Sequence, residues 1–254
     1  MLETYLRGQR EKKEILLMTH IVVGYPSFEA SFEIVKAMVA AGVDLMELQI
    51  PFSEPIADGP VILRANQEVL ARGARVRQAL AFAERVTAAF DIPFLFMTYC
   101  NIVYKYGVAE FAAEMARIGM AGAIVPDLPP EEGTAYLAAM QAHQLAPIFI
   151  FSPTTGQERM RMLAGHGRGF IYCVARKGVT GQQTTFSEAL EDYLARCRQA
   201  TDLPLALGFG VKDRSDIDFL RGKADIAVIG TETIRLVDEH GVGAVEGFIR
   251  GLQP

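Results

Sequence analysis

Short apolar runs rich in β-branched and aromatic residues recur along the chain, and longer amphipathic stretches separate them. Runs of this kind bounded by Gly, Pro or polar clusters read as strands, whereas apolar positions at three- and four-residue spacing read as helices. The runs predict strands over Leu16 to Val23, Leu45 to Ile50, Pro93 to Thr98, Gly122 to Val125, Pro147 to Phe151, Gly169 to Val174, Pro204 to Leu207 and Asp225 to Ile229. Between them "FEASFEIVKAMVAAG", "VRQALAFAERVTAAF", "VAEFAAEMARIG", "EEGTAYLAAMQAH" and "GQERMRMLAGH" carry the helical period. Several close on the glycine that a left-handed cap favours. Apolar strands joined by helical crossovers mark a parallel sheet covered on both faces.

Eight such units without a linker fit one closed (β/α)8 TIM barrel, a single α/β domain over residues 1–254, with a short N-terminal helix and extra short helices in the βα loops. A doubly wound open sheet shares the alternation but usually carries a glycine-rich turn after its first strand; here that turn reads "VVGYPS", with one glycine. In a barrel, chemistry belongs to the segments after each strand's C-terminal end, because they converge on one face. These include "PFSEPIADGP" after strand 2, "YCNIVYKYG" after strand 3, "PDLPP" after strand 4, "ARKGVTGQQTT" after strand 6, "GFGVKD" after strand 7 and "GTET" after strand 8. Polar residues, Gly and Pro gather there.

Composition narrows the picture by exclusion. At 254 residues and 50% hydrophobic the chain can bury a large core, and a net charge of -5 without a basic run argues against a nucleic acid or an anionic membrane as partner. Cys100, Cys173 and Cys197 are odd in number and far apart, which suggests neither a disulfide framework nor a zinc site. The N-terminus is charged up to Glu14, unlike a signal peptide, and no stretch approaches about 18 apolar residues. A soluble, cytoplasmic protein is expected.

Two features carry chemistry. Glycines in "GFG" at 208–210 and "IGTET" at 229–233 let backbone N–H groups approach an anion, and the segment that follows can offer a helix N-terminus. They also suit tight turns, and with no lysine-bearing nucleotide loop present a small phosphorylated metabolite fits better than a nucleotide. The second feature is a pair of acids around the proline-rich "PFSEPIADGP". Glu47 alternates with Met46 and Leu48, so it can point into the barrel while they face the helices. Burial there would raise its pKa towards neutrality, as a proton shuttle needs. The position also suits a structural carboxylate paired with a lysine or arginine. Asp58, in a loop before a glycine, reads by itself as turn chemistry more often than catalysis. Tyr172 and Phe209 read as core, and Asn101 and Asp127 as loop braces or caps.

Taken together, "VVGYPS", "GVDLMELQIPFSEPIADGP", "TYCNIVYKYG", "GAIVPDLPPEE", "GFIYCVARKGVTG", "LALGFGV" and "IGTETI" resemble the tryptophan synthase alpha subunit family nearly end to end. The resemblance implies a barrel that cleaves indole-3-glycerol phosphate to indole and glyceraldehyde 3-phosphate. It implies no metal or cofactor in this chain, and an alpha-beta-beta-alpha complex whose pyridoxal-phosphate-dependent beta subunit receives the indole. On that basis Glu47 is the general acid and base, and Asp58 accepts the indole N–H and stabilises the cationic ring. Gly181, Gly210, Gly230 and Thr231 hold the phosphate. Tyr99, Ile124, Ile150, Tyr172 and Phe209 wall the indole, and Thr180 meets Asp58 when the site closes.

The chain departs from the family pattern at several places. Gln49 replaces a glycine, Glu54 an aspartate, Ala175 a serine, His20 an aromatic, and Thr231 with Glu232 a Ser-Ala pair. None replaces the two acids. Gln49 and His20 bear on pocket shape and Glu54 on partner fit, while Glu232 sets a carboxylate beside the expected phosphate unless it points away or caps the next helix. Alternatives are a protein kept mainly as an allosteric partner of the beta subunit with weak or no lyase activity, and another phosphosugar barrel enzyme.

Overall fold

The computed structural model describes residues 2–175, 188–208 and 210–253. Eight parallel strands close into a barrel in chain order: β1 (Leu16–Val22), β2 (Leu45–Gln49), β3 (Phe94–Met97), β4 (Gly122–Ile124), β5 (Ala146–Phe151), β6 (Ile171–Val174), β7 (Leu205–Gly208) and β8 (Ile226–Ile229). Helix α1 (Leu2–Arg10) precedes β1. The crossovers are α2 (Phe28–Ala40), α3 (Pro60–Ala71) with α4 (Val76–Ala89), α5 (Cys100–Tyr106) with α6 (Val108–Arg117), α7 (Thr134–Ala142), α8 (Gln157–His166), α9 (Glu188–Ala200) and α10 (Arg214–Leu220). Helices α11 (Thr231–His240) and α12 (Val245–Leu252) follow β8. No helix among the described residues is long and apolar enough to cross a membrane.

The predicted strands recur within two residues at either end, and the differences have local causes. Strand β6 begins at Ile171 rather than Gly169, because Gly169 takes φ +81° and turns the chain out of the extended region. Helix α7 starts at Thr134, since Glu132 and Gly133 donate their N–H groups to Pro129 and Pro130 in a turn. Two segments that periodicity left as loops are helical. Helix α3 begins on Pro60 after Gly59, where a missing N–H costs nothing. Helix α5 is started by Asp127, whose carboxylate accepts the Cys100 N–H at 2.8 Å. Asp127 thus serves as a brace.

Strand alternation divides the core. Leu17, Ile21, Met46, Leu48, Phe94 and Phe96 pack outward against the helices. Leu16, Met18, Leu45, Leu95, Ile148 and Ile226 point inward and fill the lower barrel, with Leu2 and Leu6 of α1 packed into the same cluster. Above this apolar layer the inward row becomes polar.

Candidate active site

The polar layer begins one step up β1 and β2. Register pairs His20 of β1 with Glu47 of β2 and Val22 with Gln49, one inward position above Met18 and Leu45. Glu47 is therefore carried into the barrel by alternation, as expected, and only 2% of its surface is exposed. Among the described residues its partner is neither a lysine nor an arginine, as a structural carboxylate would have had, but His20, 5% exposed, with its Nδ1 at 2.9 Å from Glu47 Oε2. The other ring nitrogen, Nε2, lies 2.9 Å from Gln49 Oε1, and Gln49 Nε2 donates to Asp58 Oδ2 at 2.5 Å. One hydrogen-bonded path thus joins the two acids through His20 and Gln49. The second oxygen of Glu47, Oε1, is buried and has no protein hydrogen-bond partner among the described residues, so it is the oxygen left for a bound molecule.

The charges in this path set one another. Burial works against a protonated His20, but the hydrogen bond and charge of Glu47, the charge of Asp58 and the bond to Gln49 outweigh it and hold the ring above its ordinary value of 6.5. Burial pushes the Asp58 carboxyl above its ordinary range, against the pull of His20, Gln49 and Tyr99. Desolvation and the charges of Glu47 and Asp58 hold the half-buried Tyr172 hydroxyl well above its ordinary value, so it stays protonated.

Asp58 sits on a braced loop. Asn66, buried on α3, accepts the Phe52 N–H at 3.0 Å and donates to Ile62 O at 2.8 Å, tying the segment after β2 to the helix that follows. Asp58 N closes a turn on Pro55 O at 3.0 Å. Tyr99 is placed differently from the expectation that it walls the indole. Its ring is fully buried and stacks on Phe52 at 5.1 Å, and its hydroxyl accepts from Ala57 N and donates to Asp58 Oδ2, both at 3.2 Å. It props the loop from behind, because the inward direction on β3 is taken by Leu95 and Met97.

Glu47 and Asp58 both face a cavity of about 540 Å³, walled by Ile124, Ile150 and Tyr172 and reaching Gly210, Gly230 and Thr231. Thr180, Gly181 and Phe209 lie outside the described residues. The glycines divide by role. A Cβ on Gly208 would collide with the Tyr172 ring, so that glycine makes room for the wall. Gly210 takes φ +113°, which a side chain would strain. Gly230 precedes α11 without a side-chain cap, so the helix N-terminus opens towards the cavity with its partial positive charge. By contrast the N-terminus of α10 is capped by Asp213, which accepts from Ser215 N and Asp216 N.

Two cations that the sequence reading passed over, Lys212 and Arg235, line the same end. Arg235 lies four residues after Thr231 on α11, a spacing that places both on one helix face and could have revealed it. Glu232 does not stand alone beside this end: its carboxylate pairs with Arg235 at 2.5 Å. Among the described residues no group of three or more His, Cys, Asp or Glu side chains is placed to hold a metal ion.

Known proteins agree with this arrangement. A sequence model of the tryptophan synthase alpha chain family matches residues 6–250. The tryptophan synthase alpha chain of Syntrophotalea carbinolica is 65% identical over 253 residues, all of both chains, and that of Desulforapulum autotrophicum is 66% identical over 252, covering 99% of this chain and all of its own. A chain in a structure of Mycobacterium tuberculosis tryptophan synthase superposes with a TM-score of 0.92 at 33% identity, covering 99% of this chain and 96% of that one. A family match over residues 6–250 and a relative 65% identical from end to end mean that this chain belongs to the tryptophan synthase alpha chain family.

Proposed function

We infer that the chain is a lyase that cleaves indole-3-glycerol phosphate to indole and glyceraldehyde 3-phosphate. The observation that carries this reading is one cavity lined by Glu47 and Asp58, by Gly210, Lys212 and Arg235, and by the start of α11, which has no side-chain cap. Ile124 and Ile150 add an apolar wall, as a flat ring attached to a phosphate tail requires.

The reaction needs one proton given and one taken. Protonation of indole C3 moves positive charge to the ring nitrogen, whose N–H donates to Asp58; an ionised carboxylate there stabilises the charge as it develops. The hydroxyl on the carbon bonded to C3 loses its proton to Glu47, its C–O becomes a carbonyl, and the electrons of the breaking C–C bond return to the ring. Neutral indole and an aldehyde remain. Glu47 Oε1 is the atom positioned for both transfers. No step uses an electron sink or redox group, which is consistent with a chain that binds no cofactor of its own.

A beta subunit carrying pyridoxal phosphate is the proposed partner, in an alpha-beta-beta-alpha complex in the cytoplasm. Ile56 and Tyr104 support it: they are 70% and 77% exposed, Ile56 on the segment after β2 that carries Asp58 and Tyr104 on α5 after β3. Glu54 lies in the same segment. A chain kept only as an allosteric partner would have no need of both acids.

Indole release from indole-3-glycerol phosphate, by the purified chain alone and with a beta subunit, tests the reading. Release that rises with the partner supports both reaction and complex. A folded chain that releases no indole in either condition would replace the lyase reading with that of a regulatory partner.

A further inference from the structure

His20 and Gln49, two of the positions where the sequence departs from the family pattern, touch each other and close the path between the acids. Their polarity can be worked out from the ends. Asp58 also accepts from Tyr99, so its carboxylate requires a donor from Gln49, and the amide NH2 turns to it. That leaves Gln49 Oε1, an acceptor, against His20 Nε2 at 2.9 Å, so Nε2 carries a proton. On the far side Nδ1 faces Glu47 Oε2, also at 2.9 Å. Both ring nitrogens thus point at acceptor oxygens, which is the pattern of an imidazolium ion and not of either neutral tautomer.

We propose, on the lyase reading, that His20 is a positioning residue of the cleavage reaction: as an imidazolium it anchors Glu47 through Oε2, turns Oε1 to the substrate, and through Gln49 ties Glu47 to Asp58. The anchor leaves one carboxylate oxygen free for the proton transfers. Inside a barrel, where like charges repel and water does not screen them, the cation also steadies Asp58 as a carboxylate, and Glu47 in the interval between giving its Oε1 proton to C3 and taking one from the hydroxyl. Among the described residues the titratable groups that face this cluster are Glu47 from β2, Asp58 from the loop after it, Tyr99 from the end of β3 and Tyr172 from β6; Lys212, Glu232 and Arg235 line the same cavity. Among the described residues the charged groups that act on His20 are the acids Glu47 and Asp58, with Gln49 as a hydrogen-bond partner, which agrees with a ring held above its ordinary value.

Nitrogen-detected NMR of the free chain decides the protonation state whether or not the chain turns over. His143, His166 and His240 are exposed, and the buried His20 is assigned by its loss in His20→Phe. At about pH 7.5 both His20 ring nitrogens should carry protons; a neutral ring with one bare nitrogen overturns the proposal. In kinetics, His20→Phe should lower kcat about tenfold or more and leave KM within about threefold. The alkaline fall of kcat in the parent should vanish with it. A kcat loss with the alkaline limb unmoved would reduce His20 to packing and overturn the positioning role. If His20→Phe does not fold, Gln49→Leu serves instead: it removes one acceptor from the ring, so the alkaline limb should move to lower pH, and an unmoved limb overturns the path. A parent chain without lyase activity but with a doubly protonated His20 would sink the function while leaving the imidazolium standing.

Discussion

Within one barrel, the two ends of the same inward-facing rows do opposite things. On β1 and β2, Met18 and Leu45 pair in register inside an apolar layer sealed by Leu2 and Leu6, whereas one inward step further His20 pairs with Glu47. The backbone geometry is continuous; only the side chains change. A layer of branched apolar residues gives a rigid floor, and on that floor a cluster of buried charges can be held that would otherwise collapse the packing or admit water. The lower layer should thus answer to tests of stability, and the upper layer to tests of chemistry.

Glu47→Gln is the sharpest test of that division. It keeps the shape and can still hydrogen-bond His20, but it cannot move a proton, so indole release should fall about a thousandfold with the fold intact. Turnover near that of the parent would show that another group shuttles the proton.

Asp58→Asn should lower kcat about a hundredfold or more, because an amide cannot balance a cationic ring. Its effect on stability should run the other way. Burial raises the folded-state pKa of Asp58, so the folded chain holds that proton more tightly than the unfolded chain, and the stabilisation present below the unfolded value of 3.8 is lost as pH rises through the folded value. At neutral pH the ionised group costs stability, and Asn removes the cost. Thermal unfolding of Asp58→Asn at pH 7 should begin no lower than in the parent. A clear drop would mean that the bonds from Gln49 and Tyr99 contribute more than burial takes away.

The floor gives the opposite pattern. Leu6 is fully buried against the inner cluster, so Leu6→Ala should cost about 2–5 kcal/mol in denaturant unfolding while the remaining folded fraction keeps its kcat. If kcat fell in proportion to stability, the two layers would be one unit.

What the sequence made legible follows the same division. Period-two and near-continuous apolar runs are local, so all eight strands and the inward direction of Glu47 could be read from them. Helix α5 escaped because its start depends on Asp127, which is distant in sequence. The His20–Gln49 contact escaped for a related reason: the two residues lie 29 positions apart and meet only when β1 and β2 take their register. Each could be marked as a departure, but nothing along the chain showed that they were partners. The wall role of Tyr99 came from the family resemblance alone; alternation could not test it, because β3 ends at Met97 and the residues beyond no longer follow the strand's period.

The smallest effect lies at the phosphate end, where Glu232 serves two conflicting ends. In the first turn of α11 its negative charge favours the helix dipole, and it pairs with Arg235 at 2.5 Å. The same charge opposes an anion at the N-terminus of that helix. The pair is partly exposed, so each effect amounts to about 0.5 kcal/mol and weakens with salt. Glu232→Ala should bind inorganic phosphate about twofold more tightly at low salt and unfold about 1–2 °C lower. Weaker phosphate binding would reverse the assignment, since Glu232 would then act by holding Arg235 in line with the phosphate, and Arg235→Ala should lose at least as much affinity.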